Sequence, residues 1–270
     1  MKIPISVIVS TKNEEKNLPS CLDKLLEFDE IIVVDSASTD KTPLIVAEFG
    51  YSLINFSWNG KFPKKRNWAL RNLSLRNDWI LFLDADEQVT PEFVQEVSIL
   101  TTKDGFSGFW INYQDHFMGK KLQYGLQMRK LALFKKGYGE YERIDEDSWS
   151  HLDMEVHEHP IVKGNIGTLN SRIIHNDYKG LERYIERHNA YSTWEAKRYL
   201  QLKKNKNVSL TFRQRVKYGL IETGLLPYIY FIGAYFLKLG FLDGKEGYYI
   251  AQYKKHYFFQ IQTKIKELST

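Results

Sequence analysis

Apolar residues fall first in short unbroken runs and then at helical spacing, and this alternation repeats along the first third of the chain. Residues 3–10 (IPISVIVS) form a β-branched run that predicts a buried first strand. Leu18, Cys21, Leu22, Leu25 and Leu26 then recur at helical spacing within residues 13–28. A second strand is expected at 30–35, a helix at 43–49, a third strand at 51–56, a basic helix at 63–75 and a fourth strand at 79–84. Strands and helices alternating over short links predict parallel strands joined by right-handed crossovers. The expected class is α/β, a Rossmann-like, mostly parallel sheet with flanking helices. In such sheets ligands bind at the carboxyl ends of the strands, where the polar clusters 11–15, 35–40 and 84–87 all lie.

The pattern weakens after residue 100. Strands are expected at 106–113 and 130–134 and a long helix at 181–202, while the polar stretch 137–150 reads as a mobile loop. Tyr184, His188, Tyr191, Glu195 and Arg198 share one stripe of that helix, which suits either packing or an acceptor wall. Residues 225–237 form an apolar stretch with Pro227, Gly233 and three tyrosines. A membrane-spanning helix needs about 20 apolar residues. This stretch instead suits an interfacial or dimer-forming helix, or one packed on the preceding domain.

Charge sharpens the division. The chain carries 38 Lys and Arg against 33 Asp and Glu, a net +5, but residues 201–270 alone hold 12 against 4, a net +8. With aromatics at 14% of the chain, a basic aromatic tail points to an anionic surface, either phospholipid or nucleic acid. The expected organisation is a catalytic domain at 1–205 and a helical tail at 206–270. A single cysteine excludes an internal disulfide framework. Met1 leads directly into the strand run, so no signal peptide and a cytoplasmic location are expected.

Asp84-Ala85-Asp86-Glu87 closes the fourth strand. Two carboxylates at that spacing repel unless a cation or a hydrogen-bond donor joins them, and hard divalent cations commonly share such oxygens with substrate phosphates. Asp35 ends the second strand as an acceptor for a base or ribose, or as a cap for the following helix. Arg66, in Lys64-Lys65-Arg66-Asn67, is suited to bidentate phosphate contact.

These motifs carry a resemblance. Residues 6–15 (SVIVSTKNEE), 33–40 (VVDSASTD), 65–67 (KRN) and 82–87 (FLDADE) resemble glycosyltransferase family 2 in order and spacing. The resemblance implies the GT-A fold and an inverting transfer of a hexose from a nucleotide-diphosphate sugar, UDP-linked, with Mg²⁺ or Mn²⁺ as cofactor. Carried over by position, Thr11, Asn13 and Glu14 border the nucleoside, Asp35 holds the base and Arg66 meets the donor. Asp84 then serves ribose or metal, and Asp86 serves metal and diphosphate. The family often has a second Asp after the one matching Asp35, where this chain has Ser36.

Residues 131–137 (LALFKKG), Val156-His157-Glu158, Ile174-His175 and 240–244 (GFLDG) are similar to the branch with bacterial lipopolysaccharide-core glucosyltransferases. That likeness implies a saccharide or glycolipid acceptor of lipopolysaccharide or another envelope polysaccharide, met at the inner membrane face. The tail's own charge and its short apolar stretch fit a membrane surface or a second copy of the chain. Inversion by single displacement needs a base for the acceptor hydroxyl. Glu158 is the candidate, with Glu155 and Asp153 as rivals. His175 is a candidate third metal ligand or a structural histidine.

Two other functions fit parts of the pattern. A nucleotidyltransferase making nucleotide sugars would need a glycine-rich phosphate loop, but no Gly follows Ser10 until Gly50. A non-catalytic binder of membrane or nucleic acid would leave the strand-end carboxylates repelling phosphate, and no nucleic-acid partner is expected.

Overall fold

The computed structural model describes residues 2–102, 105–155, 159–176, 179–204, 210 and 212–270. These form two compact units, one of residues 1–114 with 128–176 and the other of 115–127 with 177–270. The boundary expected at 205 lies inside the second unit, which takes in the long helix before it and an excursion from the first unit's chain.

The first unit begins with the predicted alternation. It runs β1 (Ile3–Thr11), α1 (Leu18–Asp23), β2 (Phe28–Asp35), α2 (Thr42–Glu48), β3 (Ser52–Asn55), α3 (Lys65–Asn72) and β4 (Trp79–Asp84). The chain continues with β5 (Glu87–Gln88), α4 (Pro91–Leu100), β6 (Gly108–Phe117), the short β7 (Lys120–Lys121), β8 (Arg129–Lys135), β9 (Gly139–Tyr141), β10 (Pro160–Val162) and β11 (Ile166–His175), of which β7 and the last three residues of β6 belong to the second unit. The main sheet is ordered β3-β2-β1-β4-β8-β6-β11-β5. Its first four strands are parallel, while β8 meets β4 and β6 antiparallel and β5 meets β11 antiparallel. The sheet is thus mixed, parallel only in the half where helices link the strands. β1, between β2 and β4, is buried at every position except Pro4, with Ile5, Val7 and Val9 fully enclosed, as a strand covered on both faces requires.

The basic start of α3 is enclosed: Lys64, Lys65, Arg66 and Asn67 are all buried. The stretch 137–150, expected to be mobile, contributes β9, pairs with β10, and buries Tyr141, Ile144 and Glu146. The physical link is polar. The Asn67 amide donates to the Tyr141 carbonyl at 2.9 Å and accepts from the Tyr141 N–H at 2.8 Å, and buried Lys64 pairs with buried Glu146.

The second unit contains α5 (Leu181–Lys204), α6 (Phe212–Glu222), α7 (Leu226–Ile232) and α8 (Gly244–Ser269). Helix α7 continues through a π-helical turn, Gly233–Leu237, and a 3₁₀ turn, Gly240–Asp243, precedes α8. Tyr199, Ile221, Leu226, Phe258 and Ile261 form its small core. The α5 stripe packs within this unit: Tyr184 stacks on His188 at 3.9 Å, and buried Glu195 accepts from Tyr218 at 2.9 Å. Among the described residues no single helix is long and apolar enough to cross a membrane.

Glu96 ties α4 to β11. Its carboxylate accepts from the backbone N–H groups of Asn170 and Ser171 at 2.9 and 2.8 Å and from the Ser171 hydroxyl at 2.5 Å. Burial works against its charge, but the Ser171 and Asn170 hydrogen bonds hold the carboxyl below its ordinary range. A depressed folded value adds stability that is fully present above the unfolded pKa and lost as pH falls through the folded one. Glu96→Ala is expected to cost about 1–3 kcal/mol at pH 7. The difference from wild type should shrink in acid, as read by urea unfolding at both pH values.

Candidate active site

The carboxyl ends of β2, β1 and β4 lie side by side, with Thr11 opposite Asp35 and Ser10 opposite Asp84 in register. Chain order reverses between β1 and β4, because β2 and β3 lie to one side and β4 to the other. Such a switch point leaves a crevice between the loops leaving the two strands.

On the β2 side, Asp35 is buried and accepts from the Thr11 hydroxyl at 2.8 Å, the Ser38 hydroxyl at 2.5 Å and the Ser38 N–H at 2.7 Å. A carboxylate offers about four acceptor positions, so one remains. Asp35 does not cap α2: Asp40 accepts the Thr42 N–H at 2.9 Å instead. The loops after β1 and β2 are joined by polar contacts. The Asn13 side chain accepts from the Thr39 N–H at 2.8 Å, and the Asn13 and Glu14 N–H groups donate to the Ser38 and Thr42 hydroxyls at 2.7 and 2.9 Å. Ser36, in the place of the family's frequent second Asp, is buried, with its N–H on the Thr11 carbonyl at 3.1 Å.

On the β4 side, Asp84 lies between two cations. Arg66 Nη2 donates to one oxygen at 2.6 Å and Lys130 Nζ to the other at 2.8 Å. Burial alone would raise the Asp84 pKa, but Arg66 and Lys130 hold the carboxyl far below its ordinary range. Burial likewise opposes the charge on Lys130, yet Asp84 and Glu87 keep it firmly protonated. Lys130 also donates to Glu87 at 2.5 Å and sits 5.2 Å from the Tyr113 ring centre. Arg66 Nη1 donates to the Glu155 carbonyl at 2.7 Å. Neighbouring Lys65, its pKa lowered by burial, donates to the Thr11 carbonyl at 2.9 Å.

The pairing of β5 with β11 sets His175 opposite Glu87, and the Asn176 N–H donates to the Asp86 carbonyl at 3.1 Å. Asp86, Glu87 and His175 each offer a ligand atom, all within 4.8 Å of one another. Two carboxylate oxygens and an imidazole nitrogen suit a divalent cation such as Mg²⁺ or Mn²⁺. The residues present therefore fit the implied metal. Asp84 stands outside that trio, with both oxygens on Arg66 and Lys130.

Glu158 lies outside the described residues, as do Val156 and His157. Its rival Glu155 has another task. Buried, it accepts from the backbone N–H groups of Arg66 and Asn67 at 2.8 and 2.9 Å, capping the first turn of α3 from a distant segment. Asp153 meets α3 through its carbonyl, which accepts the Lys65 N–H at 3.0 Å. Lys130, Glu87 and the capping role of Glu155 escaped sequence reasoning. The signal for Lys130 was its place two residues before Ala132 on the same face of β8. A surface groove of about 260 Å³ beside Ile99, Phe106 and Phe109 has Glu96 as its one acid, already engaged by Asn170 and Ser171, and is not this site.

Residues 6–155 match the family Glycosyl transferase family 2. The chain is 28% identical to the lipopolysaccharide core biosynthesis glycosyltransferase LpsC of Rhizobium meliloti (strain 1021), over 98% of this chain and 92% of LpsC. It is 25% identical to an uncharacterized glycosyltransferase of Rickettsia bellii (strain RML369-C), over 98% of this chain and 87% of that one. Among solved structures it is similar to glucosyl-3-phosphoglycerate synthase from Mycobacterium tuberculosis in complex with Mn²⁺, UDP and glucosyl-3-phosphoglycerate. That likeness has 26% identity and a TM-score of 0.33, covering 43% of this chain and 44% of that one.

Removing the Glu155 carboxylate strands two buried N–H groups at the start of α3. Glu155→Ala is expected to cost about 1–2 kcal/mol, the scale of a lost helix cap. A drop in thermal midpoint should appear in the protein alone, without substrate.

Proposed function

The chain belongs to glycosyl transferase family 2, and from that premise we propose that it moves a hexose from a UDP-linked sugar, with inversion, onto a saccharide or glycolipid acceptor of the cell envelope. The observation that carries this reading is the row of acidic strand ends, Asp35, Asp84 and Asp86, along a crevice at the switch point of the sheet. The likeness to LpsC over almost the whole chain supports an acceptor in lipopolysaccharide or a related polysaccharide. The reaction belongs on the cytoplasmic side, where nucleotide sugars are made.

In this reading Asp35 keeps its remaining acceptor position for the uracil or ribose, held in place by Thr11 and Ser38. Asn13 and Glu14 border the nucleoside from the loop that Ser38, Thr39 and Thr42 order. Arg66 and Lys130 keep Asp84 ionised, so it accepts a ribose hydroxyl without exchanging protons with it. Asp86 and His175, with Glu87 beside them, would hold Mg²⁺ or Mn²⁺. When bound, the metal neutralises the diphosphate leaving group, where charge grows in the transition state. Glu158 is the base of the proposal and takes the proton of the acceptor hydroxyl.

The test is UDP release from a panel of UDP-sugars with a lipopolysaccharide-core acceptor. Asp86→Ala and His175→Ala are each expected to weaken Mn²⁺ binding at least tenfold, read by electron paramagnetic resonance without turnover, and to abolish transfer. Full transfer in a chelator would sink the metal assignment.

Glu158→Gln keeps the side chain's size but cannot take a proton. Its kcat is expected to fall by roughly 10²–10⁴-fold, with donor affinity unchanged in a calorimetric titration. A near-wild-type kcat would move the base elsewhere.

A further inference from the structure

We propose that the segment from α6 to the start of α8 is a docking surface for an anionic lipid bilayer, lying in the interface without crossing it. Of the 24 exposed large apolar side chains among the described residues, 13 fall between residues 212 and 249. Patches this concentrated mark interaction surfaces. Leu225, Ile229, Ile232, Phe236, Leu237 and Phe241 stand out from α7 and the turns after it, with Leu237 76% exposed.

This surface is held out by a built scaffold. Leu226, Pro227 and Ala234 are buried on the inner side. A Cβ on Gly247 would come within 1.9 Å of the Gly240 carbonyl, and one on Gly240 within 2.6 Å of the Ala234 carbonyl. The backbone of α8 therefore touches that of the turn with no side chain between them. Asp243 locks the turn by accepting the Gln123 and Tyr124 N–H groups at 3.0 and 2.9 Å. The exposed residues cannot collapse inward without breaking these contacts.

The charges select the occupant. Every acid in this segment is engaged: Glu222 with Lys203 and Tyr199, Asp243 with backbone, and Glu246 with Lys120. Arg215, Lys238 and Lys245 are exposed beside the apolar side chains. Lys255 lies 4.8 Å from the ring centre of Tyr228, whose own side chain is exposed. Cations with apolar and tyrosine side chains match the headgroup and acyl boundary of an anionic leaflet. A second copy would bring the same positive charge against itself. A nucleic acid would leave the aliphatic side chains without a partner. The 117° bend between Gln214–Glu222 and Leu226–Leu237 keeps the segment from forming one straight span, and in the proposed docking both helices lie along the interface.

The experiment is flotation of the full-length protein with phosphatidylcholine vesicles, with and without phosphatidylglycerol, at low and high salt. Wild type is expected to float with the anionic vesicles and to be partly released by salt, which screens charge but not apolar burial. Lys238→Glu with Lys245→Glu should lower binding roughly tenfold or more. Phe236→Ser with Leu237→Ser should abolish it at either salt, with circular dichroism and UDP release unchanged. If the apolar variant fails to fold, the charge-reversed variant decides. Three results would overturn the proposal: wild type floating with neither vesicle, both folded variants floating like wild type, or a wild-type dimer that the apolar variant turns to monomer without flotation in either. Flotation needs no turnover, so its failure leaves the transferase reading standing.

Discussion

Asp84 between Arg66 and Lys130 is the interaction on which the first unit's chemistry depends. Parallel strands bring several carboxylates to one edge of a sheet, and buried carboxylates near one another would shift to their neutral forms. Arg66, from the first turn of α3, and Lys130, from β8, prevent this from opposite sides. Lys130 is shared with Glu87, so β4, β5 and β8 are tied by one ammonium group. An Arg on one oxygen and a Lys on the other fix the carboxylate's orientation as well as its charge. A buried ion pair adds little net stability over a well-packed apolar pair. Its use here is to keep Asp84 ionised at the carboxyl end of the sheet.

That arrangement depends in turn on where α3 begins. Its first residues are cationic and buried, a costly combination unless every charge is answered. Lys64 is answered by Glu146, Lys65 by the Thr11 carbonyl, and Arg66 by Asp84 and the Glu155 carbonyl. The Glu155 side chain caps the same turn. The segment from 137 to 155 is therefore the outer wall of the site's electrostatics. Glu146 and Glu155 in it are buried against α3 and its cap, while Glu140, Arg143, Asp145 and Asp147 face water.

This explains which parts of the molecule were legible in the sequence. The strand and helix order through residue 84 follows from local periodicity, and the acids at strand ends follow from that order, since both depend on near neighbours. The joining of Asp86 to His175 depends on β5–β11 pairing across almost ninety residues, and no local pattern encodes it. His175 entered the reading through resemblance, not periodicity. Stretch 137–150 reads in sequence as a loop because composition reports polarity and not the burial of Tyr141, Ile144 and Glu146. Asn67 and Tyr141 bridge α3 and β9 by two amide hydrogen bonds, and a buried amide that is fully paired looks, in sequence, like an exposed one. Glu155 looks in sequence like a base for the same reason: a carboxylate that caps a distant helix and one that takes a proton are spelled alike.

The two units handle charge in opposite ways. In the first, buried cations answer strand-end acids, and the acidic groups are the ones aimed at the crevice. In the second, Glu195 is buried against Lys217 and Tyr218, while Glu222 and Glu246 pair at the surface with Lys203 and Lys120. The exposed charge left between residues 212 and 249 is cationic and lies among exposed apolar side chains. A net +5 for the whole chain hides both facts, because a sum over residues cannot say which charges have partners. The useful quantity is the residue of charge after pairing, taken separately for each unit. By that measure the first unit gathers ionised carboxylates at its strand ends, and the second sets exposed cations among exposed apolar side chains between residues 212 and 249.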